Sequence, residues 1–525
     1  MSLSISQGSA YWASSESLSS AQLFSSEVGR VEPDALILSK WLGDGNDINS
    51  FYKSILWNRQ LRFTWKNYLQ WRGDGHIISV APTRAGKGVG CVIPNLLNYS
   101  GSMVVIDPKG ENYVKTSNYR YNSLMQQIVC LDPFSVVTDS GDTDVIDPLE
   151  TIIPRRFTYN DVDVYELNPS FDADVARIAD ALVVRAEDEK DPHWNDKATS
   201  VLRALITITI LGYGFDPSHG ENRDLTAVRE ALLQPAEKFR AELNTLCTLE
   251  CAHELARKAA SEILSMGENE LLSVISSANR HVEFLDTPCV ARILGREPGS
   301  SSFSTKSASS FSFSTLNDIN QGITIYIVIP PHYFTRYSRL VRLWITMAID
   351  TITRRKPQLG APINSMYPPV LFMLDEMAQL GKMDCIKQAV SLMAGYGMTL
   401  WMIIQDLAQL KGLYKDDWQT FLANAKVQQY FGINDPTTAK MISEMLGMAT
   451  YSNVVENEST QGTFFLHSQT TDGLSRMDAG RNLFTGDEIR RLNSNIMLMF
   501  VQGINPVLTQ KIKYYDDELF KTRIR

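Results

Sequence analysis

Short apolar runs punctuate the chain: HIISVAP, SMVVID, QQIVCLD, ITIYIVIP, PVLFMLDE, MTLWMIIQD, KVQQYFG and NIMLMFVQG. Each is rich in β-branched or bulky apolar residues and too short for an ordinary helix. They alternate with stretches of helical spacing, which predicts strands of a parallel sheet built from βαβ units. Within the runs the apolar residues continue without alternation, so burial on both faces is expected. Between about residues 170 and 310 the strand signal disappears. Val175, Ile178, Ala179, Leu182 and Val183 fall on one face of a 3.6-residue repeat, the start of a helical region. The pattern therefore predicts an α/β domain in two segments, 1–170 and 311–525, interrupted by an all-α insertion over 171–310. The Ser-dense GSSSFSTKSASSFSFST, Gly299 to Thr315, reads as a linker back to the sheet, with a substrate-contacting loop as the alternative.

A chain of 525 residues exceeds one ordinary core, which agrees with more than one domain. A hydrophobic fraction of 44% and a charged fraction of 21% are those of a soluble globular protein. The formal charge of −9 argues against a surface that clings broadly to nucleic acid, yet leaves room for a local basic channel. Six scattered cysteines form no dense disulfide framework, so a reducing, cytosolic compartment is expected. Cys247, Cys251 and His253 could open a metal site. The two cysteines also fall at helical spacing in a Leu-rich stretch, and without a second ligand pair packed thiols are the expectation. The opening MSLSISQGSAYWASSE lacks the basic start and apolar core of a signal peptide. Ala204 to Phe215, the longest uncharged apolar stretch, is too short to span a bilayer.

Candidate chemistry begins at SVAPTRAGKGVGCVIPNLL, residues 79–97. A phosphate-binding loop of the GxxxxGK[ST] type stands between a strand and a helix, and this stretch has that context with two altered letters. Ala81 replaces the first Gly and Gly88 replaces the Ser or Thr. Residues Ala81, Pro82, Thr83, Arg84, Ala85, Gly86, Lys87, Gly88 and Val89 form the candidate nucleotide-binding loop. Its backbone N–H groups can face phosphate oxygens, Gly86 permits close approach, and Lys87 can reach the β- and γ-phosphates. Ala81 is compatible if its φ is negative. Gly88 removes a hydroxyl that normally ligates Mg²⁺, a place that water can fill. Thr83 is a weaker alternative ligand.

PVLFMLDEMAQLGK is an apolar strand ending in two carboxylates, Asp375 and Glu376. Such a pair can place one carboxylate on the Mg²⁺ shell, here Asp375, and the other as base for the attacking water, here Glu376. MTLWMIIQD ends in Gln405, positioned to sense the γ-phosphate or orient water, since nucleotides bind at the carboxyl ends of such strands.

These motifs resemble those of the TraG/TraD family of type IV secretion coupling proteins almost end to end. APTRAGKGVG matches the family's variant Walker A, both departures included. QGSAYWAS, VVIDPKGE, LDPF, LFMLDE, IIQDLAQL, QQYFGINDPTTAKMISEMLG and RNLFTGDEIRRL are similar to successive family blocks. IDPLE at 146–150 departs modestly from the usual Asn-Pro-Leu-Asp wording, and DPHWNDKA, with His193 and Trp194, resembles the opening of the family's helical domain. For those two residues, capping and packing of a helix start is the preferred reading.

The resemblance implies a RecA-like P-loop NTPase fold, with a mostly parallel sheet flanked by helices, plus an inserted all-α domain that helps receive substrate. It implies an ATPase using ATP and Mg²⁺, assembled as a homo-hexamer and coupling hydrolysis to transfer of a relaxase–DNA complex or effector protein. Inner-membrane components of the secretion system are the implied partners, single-stranded DNA is a further one, and the cytoplasmic face of the bacterial inner membrane is the implied location. The chain begins about where the family's membrane anchor ends, so a removed anchor or a separate membrane partner is expected. In a closed ring a neighbour's arginine can complete each site, and Arg481 is the candidate. Two other readings stay open: a DNA-pumping ATPase of the cell-division (FtsK) kind, and a nucleotide-gated substrate receptor with little turnover, which Gly88 motivates.

Overall fold

The structure is a computed structural model that describes residues 9–25, 30–42, 67–139, 142–149, 152, 155–159, 162–184, 193–211, 224–250, 252–294, 310–355, 369–392, 394–461 and 469–524. Strands among them run, in chain order, β1 (Leu36–Trp41), β2 (Tyr68–Trp71), β3 (His76–Val80), β4 (Met103–Ile106), β5 (Gln127–Leu131), β6 (Arg155–Tyr159), β7 (Val162–Glu166), β8 (Ile323–Ile327), β9 (Val370–Leu374), β10 (Met398–Ile404), β11 (Ala425–Tyr430), β12 (Met448–Gln461), β13 (Gln469–Asn482), β14 (Ile496–Val501) and β15 (Val507–Gln510). Every apolar run singled out in the sequence is a strand. The chain separates into two compact units, Met1–Tyr99 with Trp401–Arg525, and Ser100–Leu400.

In the first unit β3 is flanked by parallel partners, with Ile78 opposite Gln428 of β11 and opposite Met402 of β10. All five residues of β3 are buried, as its continuous apolar run requires. Beyond β11 the sheet turns antiparallel, in the order β11, β14, β15, β1, β2. β14 thus departs from the parallel arrangement expected from the sequence. Only residues 502–506 separate β14 from β15, a connection that suits a hairpin and is too short for a parallel crossover. β1 comes from the N-terminal segment and pairs with β15 across most of the chain, Lys40 opposite Gln510. The polar β12 and β13, fourteen residues each, form a separate hairpin that the sequence pattern did not announce.

The second unit holds β9, β4, β8 and β5, in that order and all parallel. Every residue of β4, β8 and β9 is buried. The helices Glu111–Asn122 and Pro331–Thr353 follow β4 and β8. Arg120, fully buried, donates to Thr324 Oγ1 (2.6 Å), Gln126 Oε1 (2.6 Å) and Gly101 O (3.1 Å), so its charge is met by uncharged acceptors. β6 and β7 pair with each other as a small antiparallel hairpin.

Helices occupy the described part of 171–293: Phe171–Leu182, His193–Leu211, Leu225–Leu233, Ala236–Thr248, Glu254–Leu264, Glu268–Val282 and Pro288–Ile293. The first buries Val175, Ile178, Ala179 and Leu182, the face expected from the spacing. Ion pairs Arg177–Asp350 and Arg354–Asp174 link it to the region of Pro331–Thr353. Trp194 is 37% exposed and stacks edge-on against His193. It stands at helical spacing from the buried Ala198 and Val201 and remains partly exposed at the helix start. His253 caps the helix Glu254–Leu264 by accepting the Leu255 N–H at Nδ1 (3.2 Å). Cys251 and most of the Ser-dense segment, 299–309, lie outside the described residues. Among the described residues no cluster of His, Cys, Asp or Glu is arranged to hold a metal, and no helix is long and apolar enough to cross a membrane.

Candidate functional site: a phosphate loop and a carboxylate-bearing strand end

The loop leaves β3 at Ala81, whose N–H donates to Ile404 O (2.9 Å) and so extends the pairing with β10. Ala81 has no positive φ, which explains why alanine fits where the consensus has glycine. Arg84 (φ 65) and Gly86 (φ 95) turn the chain through the left-handed region, and Ala85 N–H closes onto Pro82 O (3.1 Å). Thr83 and Arg84 are exposed, whereas Lys87 is buried. Gly88 to Val92 then form a π-helical turn in which Ile93 N–H donates to Gly88 O. Pro94 supplies no N–H to the ordinary helical ladder, and the Asn95 side chain adds a bond of its own to the Cys91 carbonyl (2.8 Å). Gly90 and Pro94, poor helix formers, are accommodated by this wide turn.

Neighbours on the same unit lock the loop from behind. Ser79 Oγ accepts from Trp401 Nε1 (2.8 Å) and donates to Gln429 Oε1 (2.7 Å), while Gln429 Nε2 reaches Leu38 O (3.1 Å). Asn95 also trades two hydrogen bonds with the Ile37 backbone (2.7 and 2.8 Å), which ties the turn to β1. Gly432 has φ 67, and a Cβ there would stand 2.9 Å from that of Ala85. Glycine is therefore required at 432 for two reasons, backbone conformation and room for the loop. Gln405 follows β10 directly, its backbone N–H held by Gln409 Oε1 (3.2 Å), and so stands one residue beyond the carbonyl that receives Ala81.

In the second unit Asp375 follows β9, and Glu376 N–H donates to Asp375 Oδ1 (3.1 Å). Glu376 lies in the left-handed region (φ 57, ψ 39), a conformation that costs a non-glycine residue about 1–2 kcal/mol and concentrates at functional positions. Its carbonyl accepts from Gln379 N–H (2.8 Å), closing a short 3₁₀ turn. β4 pairs beside β9 and ends at Asp107, which is 2% exposed and accepts the Tyr113 N–H (2.9 Å) at the start of the helix Glu111–Asn122. Burial pushes the Asp107 carboxyl up to about 6. The N–H groups of Tyr113 and Asn112 pull it down, and the negative charges of Asp375 and Glu111 raise it further. Asp107 thus joins Asp375 in one electrostatic neighbourhood, which only the strand order β9, β4 could reveal.

The structure brings together Ala81 to Val89 and Gln405 in one unit, and Asp375, Glu376, Asp107 and Glu111 in the other. Arg481, at the end of β13, is paired with Glu488, whose other carboxylate oxygen accepts the Thr485 N–H (2.9 Å) in a capping box.

The family model for type IV secretory system conjugative DNA transfer proteins matches residues 12–525. The conjugal transfer protein TraG of Escherichia coli is 26% identical over 477 residues, 87% of this chain and 69% of that protein. VirD4 of Agrobacterium fabrum is 28% identical over 465 residues, 87% of this chain and 61% of that protein, so the chain spans about three fifths of VirD4. Among solved structures, the unbound bacterial conjugative coupling protein TrwBdeltaN70 superposes with a TM-score of 0.57 at 16% identity, covering 92% of this chain and 95% of that one. The plasmid coupling protein TrwB in complex with ADP and Mg²⁺ gives 0.57 at 15% identity, covering 93% and 97%. These likenesses show the RecA-like fold. With its loop, its carboxylate-tipped strand and a match running through nearly its whole length, the chain belongs to the TraG/TraD family of type IV secretion system coupling proteins.

Proposed function

We propose that the chain is the coupling ATPase of a type IV secretion or conjugation system, hydrolysing ATP to drive a relaxase–DNA complex or an effector protein towards the transfer channel. The observation that carries this reading is the loop itself: a π-turn behind Gly86 that holds Lys87 at its head, directly after a fully buried strand. The loop amides bind and orient phosphates, and the Lys87 ammonium compensates their growing charge. Mg²⁺, when bound with the nucleotide, would neutralise charge developing on the phosphates. Asp375 fits its shell, Glu376 takes the proton of the attacking water at its carboxylate, and Gln405 orients that water. The raised Asp107 acid fits the same picture, since a buried carboxyl beside the charge of Asp375 would be relieved by a nearby cation.

In this reading the working form is a homo-hexamer at the cytoplasmic face of the inner membrane, where Arg481 of one subunit serves the next after leaving Glu488. The complex of TrwB with ADP and Mg²⁺ supports the choice of ligand. Purified protein should release phosphate from ATP with Mg²⁺, more so with single-stranded DNA if DNA is cargo, and Lys87→Ala should abolish release. Equal turnover in Lys87→Ala would overturn the reading. Nucleotide binding without turnover in the parent would favour the receptor reading, which Gly88, lacking a metal-binding hydroxyl, specifically supports.

A further inference from the structure

Lys511 comes immediately after β15 and carries no role so far. Its backbone N–H donates to Asn495 O (2.8 Å), which fixes the root of the side chain. From there Nζ reaches across 426 residues of sequence to donate to Ala85 O (2.6 Å). The ammonium lies 5.0 Å from the centroid of the buried Phe431 ring, close enough for cation–π attraction. A Cβ placed on Gly86 would find Lys511 Nζ as its nearest neighbour, at 3.7 Å. The phosphate loop therefore rests on a second lysine from beneath.

The contact has a directional consequence. In a planar trans peptide the carbonyl oxygen and the following N–H point opposite ways. Holding Ala85 O towards Lys511 turns the Gly86 N–H towards the other face of the loop, and φ 95 at Gly86 lets the chain continue from that peptide orientation. We infer that Lys511 is a positioning residue of the phosphate loop: it anchors the Ala85 carbonyl, aims the Gly86 N–H at the nucleotide phosphates and places a positive charge under the loop.

Burial brings the Lys511 ammonium down to about 8, and neighbouring Lys513 lowers it further. Cys91, on the π-turn, acts in the opposite direction, and Phe431 contributes only its ring. A bound polyphosphate favours the charged form, so phosphate affinity is full below about pH 8 and falls as the ammonium deprotonates above it. The neutral amine still donates to Ala85 O, which separates the charge from the anchor.

The inference rests on the nucleotide-binding reading above, and the experiment tells their failures apart. A fluorescent ADP analogue is titrated into parent, Lys87→Ala, Lys511→Met and Lys511→Arg protein at pH 7.5 and pH 9, with steady-state ATP turnover alongside. Lys511→Met keeps the aliphatic stem but loses anchor and charge, so affinity should fall about tenfold, with KM for ATP rising more than kcat falls. Parent affinity should drop roughly fivefold between the two pH values, and Lys511→Arg, charged throughout, should flatten that drop. If the parent and Lys511→Met bind equally while Lys87→Ala does not, the Lys511 role is overturned and the loop reading stands. If the parent binds no nucleotide, both fall. Should Lys511→Met fail to fold, Lys511→Gln, too short to reach Ala85 O and uncharged, takes its place, and ADP affinity equal to the parent's at both pH values overturns the inference.

Discussion

The loop around Lys87 and the strand end at Asp375 are built on opposite principles. Behind the loop Ser79, Gln429, Asn95 and Lys511 each close a hydrogen bond inside the unit. Around Asp375, Asp107 is raised to about 6, chiefly by burial with the charges of Asp375 and Glu111 adding to it, and Glu376 is held in a left-handed conformation. A loop that must present amides in fixed directions gains from being over-determined. A carboxylate taken out of water next to others of its own sign resists ionisation, and a cation arriving there would relieve it. On the proposed function, the rigidity of the loop serves phosphate recognition and the buried, charge-crowded strand end serves metal and proton handling.

Replacing the two adjacent carboxylates separately tests that division most severely. Glu376→Gln keeps size and hydrogen bonding but removes the proton acceptor, so hydrolysis should fall on the order of 10²-fold or more while nucleotide still binds. Asp375→Asn should instead weaken binding of Mg²⁺–nucleotide itself. A fluorescent nucleotide titration beside turnover reads both. Parent-like hydrolysis in Glu376→Gln would move the base elsewhere, with Glu111 the next residue to examine.

A smaller effect should appear at Asp107. Its folded pKa of about 6 lies above the ordinary carboxyl value of 3.8, so its contribution to stability is present below about pH 4 and is lost as pH rises through 6. Asp107→Asn can keep the acceptor for Tyr113 N–H yet has no charge to bury. The difference in stability between variant and parent should therefore move in the variant's favour from pH 4 to pH 7, by at most on the order of 3 kcal/mol. Thermal melts across that range measure it. A pH-independent difference would mean that burial does not penalise the Asp107 charge at this strand end.

Much of this was legible in the sequence wherever one segment carries its own signal. The β3 and β9 runs are apolar throughout because both faces are covered, and their terminal motifs, residues 81–89 and Asp375–Glu376, follow directly. What escaped depends on partners distant along the chain. β1 is a strand because β15 and β2 accept it, and its sequence LILSKW has no long alternation to announce that. β14 looked like its parallel neighbours because burial, not direction, sets its composition. Lys511 reads as one basic residue in a charged tail, and nothing local tells that Ala85 waits 426 residues away. Asp107 was visible as part of a motif, but its kinship with Asp375 required the lateral order of the strands.

The least effect is expected where the loop departs most from consensus. Gly88 has no positive φ, and a Cβ built there meets nothing within 4 Å, so neither backbone nor packing demands glycine. Gly90 and Gly432 differ, since added Cβ atoms would stand 3.1 Å from Ile512 O and 2.9 Å from the Ala85 Cβ. Gly88→Ser should shift stability by no more than about 0.5 kcal/mol, the range of an unconstrained site. Its new hydroxyl occupies the consensus position for a metal ligand, so ATP turnover should stay within about twofold of the parent. The Mg²⁺ concentration giving half-maximal turnover should be no higher. Stopped and steady-state phosphate release over a Mg²⁺ series reads both quantities. A tenfold loss of turnover with an unchanged melting temperature would show that the π-turn needs a bare backbone at 88, and that the rigidity of the loop extends one residue further than its hydrogen bonds indicate.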